Sequence, residues 1–172
     1  VVDRAATVLF AQKGEKCTEP ARFIVHRSLH DDFVDAMVAR ATSLRTGDPF
    51  DDATTQGAQC TEAQFTRIPS LVQQAVDGGA EAVCGGRADA RHHETGGWYL
   101  QPTVLRHVAL ENPVHGVEVF GPVAKVTAFD TDDEALALAN GTSQGLAAGV
   151  YAADLARAQR FAHRLDAGQV FV

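Results

Sequence analysis

Phe10–Arg22 reads FAQKGEKCTEPAR, and it stands between an apolar, Ala-rich segment and the run RFIVH at Arg22–His26. The segment before it has the composition of a helix. Gly14 is a natural stop for that helix, because glycine enters the left-handed backbone region at little cost. RFIVH is β-branched and aromatic and reads as a buried strand. Cys17 therefore falls in a connection between a helix end and a strand start. Lys16 is its neighbour and Arg22 lies a few residues on, and nearby positive charge favours the thiolate, the nucleophilic form of cysteine. Read alone, a cysteine beside an apolar run is more often a small buried hydrophobe than a nucleophile.

Outward from this point the chain alternates helices and strands. Asp3–Lys13 reads as a helix with Asp3 as N-cap. Ser28–Leu44 is helical, with Leu29, Phe33, Met37, Ala41 and Leu44 as one apolar stripe. Asp48–Thr55 is turn-rich. Thr61 opens a further helix through Gln64, Ile68, Leu71, Val72 and Ala75, which Pro69 would kink unless it lies near the first turn. Ala80–Cys84 is a short strand, Arg87–Gly97 a solvated polar loop, and Trp98–Val108 extended chain broken by Pro102. A strand at Ala124–Phe129 precedes a helix at Asp132–Ala139. A buried strand at Gly145–Tyr151, a helix at Ala153–Leu165 and a strand at Gln169–Val172 complete the order. This pattern predicts an α/β fold, a largely parallel sheet flanked by helices on both faces.

Composition narrows the function. The 172 residues are 45% hydrophobic and 22% charged, as in one ordinary globular domain. The net charge of −7 argues against nucleic acid or an anionic membrane surface as a partner. No run is long enough to span a membrane, and no signal peptide is visible. Cys17, Cys60 and Cys84 are odd in number and widely spaced, which fits a reducing cytoplasm better than a disulfide framework. His92 and His93 beside Glu94 are a poor metal site, since adjacent residues rarely ligate one ion together, and no metal is expected. Neither a GxGxxG fingerprint nor a phosphate loop is present. Val1 opens inside a helix-like segment and QVFV closes inside a strand-like one, so residues 1–172 are expected to be one segment of a longer protein.

The order of motifs resembles the catalytic domain of the NAD(P)-dependent aldehyde dehydrogenase superfamily. Phe10, Gly14 and Cys17 resemble the F-x-x-x-G-Q-x-C pattern of that family. Gly47-Asp48-Pro49 resembles its G-x-P loop, and Gly57-Ala58-Gln59 stands where G-P-Q is usual. Gly78-Gly79-Ala80, Gly85-Gly86, Pro102-Thr103-Val104-Leu105 and Glu118-Val119-Phe120-Gly121-Pro122-Val123 continue the series. Glu134-Ala135, Asn140, Gly145-Leu146 and Ala167-Gly168 complete it.

The resemblance implies a chemistry. Cys17 would attack an aldehyde carbonyl to give a thiohemiacetal, and loss of hydride to NAD or NADP would leave a thioester for water to hydrolyse. Glu118 would accept hydrogen bonds from the nicotinamide ribose, and Phe120 would pack near the nicotinamide. Gln64 and Arg67 would add ribose-side contacts. The nucleotide-binding domain, the general-base glutamate and the oxyanion asparagine would lie outside these residues, and the whole protein would be a homo-oligomer acting on a small aldehyde. On their own, Glu118 reads equally as an exposed carboxylate, Phe120 as core, and Gln64 and Arg67 as one solvated helix face.

Three departures bear on efficiency. Glu15 replaces the usual glutamine, placing near Cys17 a negative charge that would raise its pKa, with Lys16 and Arg22 to offset it. Val117 replaces the first acid of E-E-x-F-G-P-V, and Ala58 the proline of G-P-Q. Two other functions follow from these residues: a CoA-acylating semialdehyde dehydrogenase, and a catalytically degenerate interaction domain.

Overall fold

The computed structural model describes residues 1–172. Helices α1 (Val2–Ala11), α2 (Arg27–Thr42), α3 (Glu62–Asp77), α4 (Ala90–Thr95), α5 (Asp132–Asn140) and α6 (Leu155–Ala162) are interleaved with six strands. The strands are β1 (Arg22–His26), β2 (Glu81–Cys84), β3 (Thr103–Arg106), β4 (Val123–Phe129), β5 (Ala147–Gly149) and β6 (Gln169–Phe171). The main sheet runs β1-β4-β3-β2. Strands β1, β4 and β3 are parallel, while β2 pairs antiparallel with β3 at the edge. Helices and strands in this order match the α/β, largely parallel arrangement predicted from sequence.

The period of two along β4 divides the core. Ala124 and Val126 join Val104 under α1 and α2, where Ala6, Leu9, Phe10, Val34, Met37 and Ala41 close the layer. Val123 faces the other side with Leu105, beneath Ile68, Leu71, Val72 and Ala75 of α3. Lys125 shares this second face by the same alternation. Its β1 partner in the register is Arg22. A charged pair is thereby set into an apolar layer.

Several local expectations change. Helix α1 starts from Val1 without a side-chain cap and ends at Ala11. Asp3 lies inside the first turn instead of at the N-cap, where its charge still favours the helix N-terminus. In α2 the buried stripe is His30, Val34, Met37 and Ala41, and Leu29 is exposed. Met37 and Ala41 hold as expected, and Phe33 and Leu44 pack partly buried against the same core. Only the first position changes, where His30 in place of Leu29 is covered and stacks at 5.5 Å on His107 beyond β3. Pro69 lies in the middle of α3, which continues through it. Arg87–Gly97 is more than a loop: Asp89 caps α4, accepting from the Arg91 N–H. Strand β5 is half-exposed, because it pairs only with β6 in a separate two-stranded parallel sheet. No helix is long and apolar enough to cross a membrane.

Candidate active site

Two loops meet at the carboxyl side of α1 and the amino side of β4. The first follows α1. Its backbone turns through two successive left-handed residues, Lys13 at φ 63° and Gly14 at φ 70°. Only Gly14 has no alternative, since a Cβ there would lie 1.9 Å from the carbonyl oxygen of Gly121. Gly121 is less confined: its Cβ would lie 2.3 Å from Ile68 Cδ1, the end of a side chain on α3 that would have to shift. The two glycines permit backbone contact between the Cys17 loop and the Glu118–Val123 loop.

Cys17 is exposed on the first loop and forms no disulfide. The polar side chains around it are engaged elsewhere. Glu15 pairs with Lys13 Nζ at 3.0 Å, and its other oxygen accepts from the Cys60 N–H at 3.0 Å. Burial alone would raise the Glu15 carboxyl, but Cys60 and the Lys13 ammonium more than offset it and hold it below the usual range. Lys13, Glu15 and Cys60 line a cleft of about 390 Å³ that Cys17 does not line. The negative charge that sequence placed against the thiol is thus neutralised in another cleft.

Arg22 is likewise turned from the thiol. Its guanidinium donates to the carbonyls of Leu138 and Ala139 at the end of α5, and to His115 Nε2 at 2.8 Å. The other charged residues of this loop are Lys16 and Glu19. Burial raises the Glu19 carboxyl to about 7, against the attraction of Lys16. One Glu19 oxygen is buried without a partner.

The second loop carries Glu118 and Phe120. Glu118 is exposed, Phe120 is half-buried, and Phe120 takes the left-handed backbone at φ 57°. Helix α3, capped by Thr61 through the Gln64 N–H, presents Gln64 and Arg67 to this loop. Arg67 donates to the Glu118 carbonyl at 3.0 Å and to the Val119 carbonyl at 2.9 Å. Gln64 Nε2 reaches the Phe120 carbonyl at 3.5 Å. All four residues singled out for cofactor contact are therefore neighbours. The donors of Gln64 and Arg67 hold the loop backbone, whereas the Glu118 carboxylate makes no hydrogen bond or ion pair.

Sequence reasoning missed Lys125. It read AKVTAF only as a strand, and nothing in a period-two pattern announces a buried ammonium. Lys125 is 2% exposed, and its Nζ donates to the carbonyls of Val114 (2.9 Å), His115 (3.1 Å) and Val117 (2.7 Å). Burial, and secondarily Arg22, lowers its pKa to about 8. A charged residue inside an otherwise apolar strand was the available signal. No cluster of three or more metal-ligating side chains is present, and His92 instead packs on Phe65 at 4.4 Å.

Comparison with known proteins bears on the family and the fold. The model of the aldehyde dehydrogenase family matches residues 1–172. A succinate-semialdehyde dehydrogenase [NADP(+)] of Mycobacterium tuberculosis is 38% identical over 171 residues, 99% of this chain and 36% of the relative. Among solved structures, aldehyde dehydrogenase C of Pseudomonas syringae, in complex with NAD+ and octanal, superposes with a TM-score of 0.92 at 36% identity. It covers 99% of this chain and 35% of that one. Betaine aldehyde dehydrogenase of Staphylococcus aureus with NAD+ gives 0.93 at 32% identity, covering 99% and 34%. The chain spans about a third of the length of the relatives it matches.

Proposed function

We propose, from a chain that belongs to the aldehyde dehydrogenase family, the thiol-bearing segment of an enzyme that oxidises an aldehyde to a carboxylic acid with NAD or NADP. The observation that carries this reading is the Gly14–Gly121 contact. It joins the loop of the exposed Cys17 thiol to the loop bearing an unpaired carboxylate and an aromatic ring.

The residues fit one end of a nicotinamide cofactor. The free Glu118 carboxylate is an acceptor for a diol such as ribose, and Phe120 offers an apolar face beside it. No glycine-rich cradle for the pyrophosphate occurs in these residues, so that end would be bound by a separate domain. When bound, the cofactor supplies the acceptor for the electron pair that leaves the aldehyde carbon.

The thiol does the covalent work. Cys17 thiolate adds to the carbonyl carbon, forming a C–S bond while the carbonyl π electrons move onto oxygen. A backbone N–H such as that of Cys17 is suited to receive the oxyanion. After oxidation the acyl group rests on sulfur as a thioester. Water adds to it, the C–S bond breaks and the thiolate returns. Lys16, next to Cys17 on the exposed turn, and Glu19, two residues on with a carboxyl near 7, are the ionisable groups of this loop that Lys13 and Cys60 do not engage.

The exposure of Cys17 also favours a second reading, since an open thioester admits a thiol such as CoA in place of water. Acid or acyl-CoA as the product, with and without CoA, separates the two. Of the two residues behind the degenerate-domain reading, Glu15 is paired away from Cys17, and Val117 remains. We further infer a cytoplasmic homo-oligomer, in keeping with three free cysteines; sedimentation of the whole protein tests the assembly. The direct test of function is turnover of an aldehyde panel with NAD and NADP by the full-length enzyme and its Cys17→Ala variant. Cofactor-dependent turnover that survives at the parent rate in the variant removes Cys17 from the chemistry.

A further inference from the structure

The loop Val114–Phe120 has an unusual property: each of its backbone carbonyls accepts a hydrogen bond from a side chain. Lys125 holds the carbonyls of Val114, His115 and Val117. Thr142 Oγ1 donates to Gly116 at 3.1 Å. Arg67 holds Glu118 and Val119, and Gln64 reaches Phe120. The segment is neither helix nor strand, so these carbonyls have no regular backbone ladder to satisfy them. Donors from α3, from β4 and from the turn after α5 converge on one irregular stretch.

Lys125 is the central member. It is the one donor that is buried, and it reaches its three carbonyls with the three N–H groups of one ammonium. The chain turns around that point, and the residue after the last carbonyl it holds is Glu118. We propose that Lys125 is a positioning residue, fixing the backbone of Val114–Val117 so that the Glu118 carboxylate is presented to the cofactor ribose. The presentation of Glu118 to ribose rests on the function proposed above; the holding of the loop does not.

Protonation matters to this device. Neutral lysine has two N–H donors for three carbonyls, so one carbonyl is released when the proton leaves. The groups facing Nζ are Arg22 on β1 and His115 and Glu118 on the loop. Strand β3 presents Leu105 opposite Lys125, and α5 presents to Arg22 only the carbonyls of Leu138 and Ala139. His115 is kept neutral, first by burial and also by Arg22, which donates to its Nε2. With His115 neutral, Lys125 is the group in this cluster whose lowered pKa, near 8, places its titration in the mildly alkaline range.

The test uses the full-length enzyme, its Lys125→Met variant and its Thr142→Val variant. Amide hydrogen exchange without cofactor reads the loop directly. Exchange over residues 114–121 should accelerate about tenfold in Lys125→Met and severalfold in Thr142→Val, with α2 unchanged in both. Binding of NAD and NADP, measured by fluorescence, should weaken about tenfold in Lys125→Met. Wild-type affinity should decline as pH rises through 8, and the variant should be flat across the same range. Unchanged exchange over 114–121 in both variants overturns the proposal, as does cofactor affinity that is equal in wild type and Lys125→Met. Should Lys125→Met not fold, the wild-type pH profile decides: affinity that does not decline as pH rises through 8 overturns the proposal. Wild-type protein that binds neither cofactor would sink the functional reading alone, and exchange would still decide whether Lys125 holds the loop.

Discussion

The two loops of the site are held in opposite ways. Lys13–Pro20 has a glycine against Gly121, one ion pair and one side-chain bond to the Cys60 N–H, and its thiol is exposed. Val114–Phe120 is bound along its whole backbone by side-chain donors, and only its carboxylate is free. A nucleophile must reach a substrate and later release it, so freedom at Cys17 is tolerable. A group that orients a ligand works only if its backbone is fixed before the ligand arrives, because ordering it on binding would reduce affinity.

Changes to each loop should therefore have different signatures, and the largest belongs to the thiol. Cys17→Ala should lower turnover of the full-length enzyme by more than about a thousandfold while leaving its thermal midpoint near that of the parent. A parallel loss of stability would show that Cys17 is core and break the contrast.

Gly14→Ala attacks the contact between the loops. It combines a left-handed φ with a Cβ 1.9 Å from Gly121 oxygen, and should cost about 3–5 kcal/mol in denaturant unfolding. An unaffected midpoint would mean that the loops are not in contact.

Lys125 makes a pH prediction with a definite sign. Its pKa falls from 10.5 to about 8 on folding, so between these values the unfolded chain binds more protons. Stability therefore rises with pH through this window, and the cost of burying the charge is fully present below it. The gain, at most about 3 kcal/mol, should be absent from Lys125→Met when unfolding is compared at pH 7.5 and 10.5. Identical pH dependence in both proteins would remove Lys125 as its source.

Arg67→Ala should destabilise by about 1–2 kcal/mol, since two charge-assisted bonds to carbonyls are lost at a partly exposed site. Gln64→Ala, which removes two long contacts at 3.5 Å, one to the Phe120 carbonyl and one from Arg67, should cost under about 0.5 kcal/mol. Reversal of that order would show that Gln64 rather than Arg67 fixes the Phe120 end of the loop.

Sequence reached much of this. RFIVH and AKVTAF declared themselves as strands through β-branched residues, and Thr61 announced α3 as an N-cap does. The boundaries of α1 and the first position of the α2 stripe slipped because the residues that decide them are long-range. Leu29 and His30 are neighbours in a helix, and only His107, contributed from beyond β3, selects which of them is covered. The neighbourhood of Cys17 slipped for a similar reason. Glu15 and Arg22 are close to it along the chain, yet their partners are Cys60, Leu138 and Ala139, far away in sequence.

The amino-acid sequence by itself determined the alternation of helices and strands, the position of the thiol in the connection between α1 and β1, and the glycine that ends α1's run. These depend on local propensity, periodicity and the absence of a Cβ, all properties that a residue carries with it. Tertiary structure alone decided which charges face the thiol and what holds the Glu118 loop. A hydrogen bond forms with whatever group folding brings within reach, and Lys125 meets its three carbonyls only because parallel pairing of β1, β4 and β3 turns its side of the sheet toward that loop.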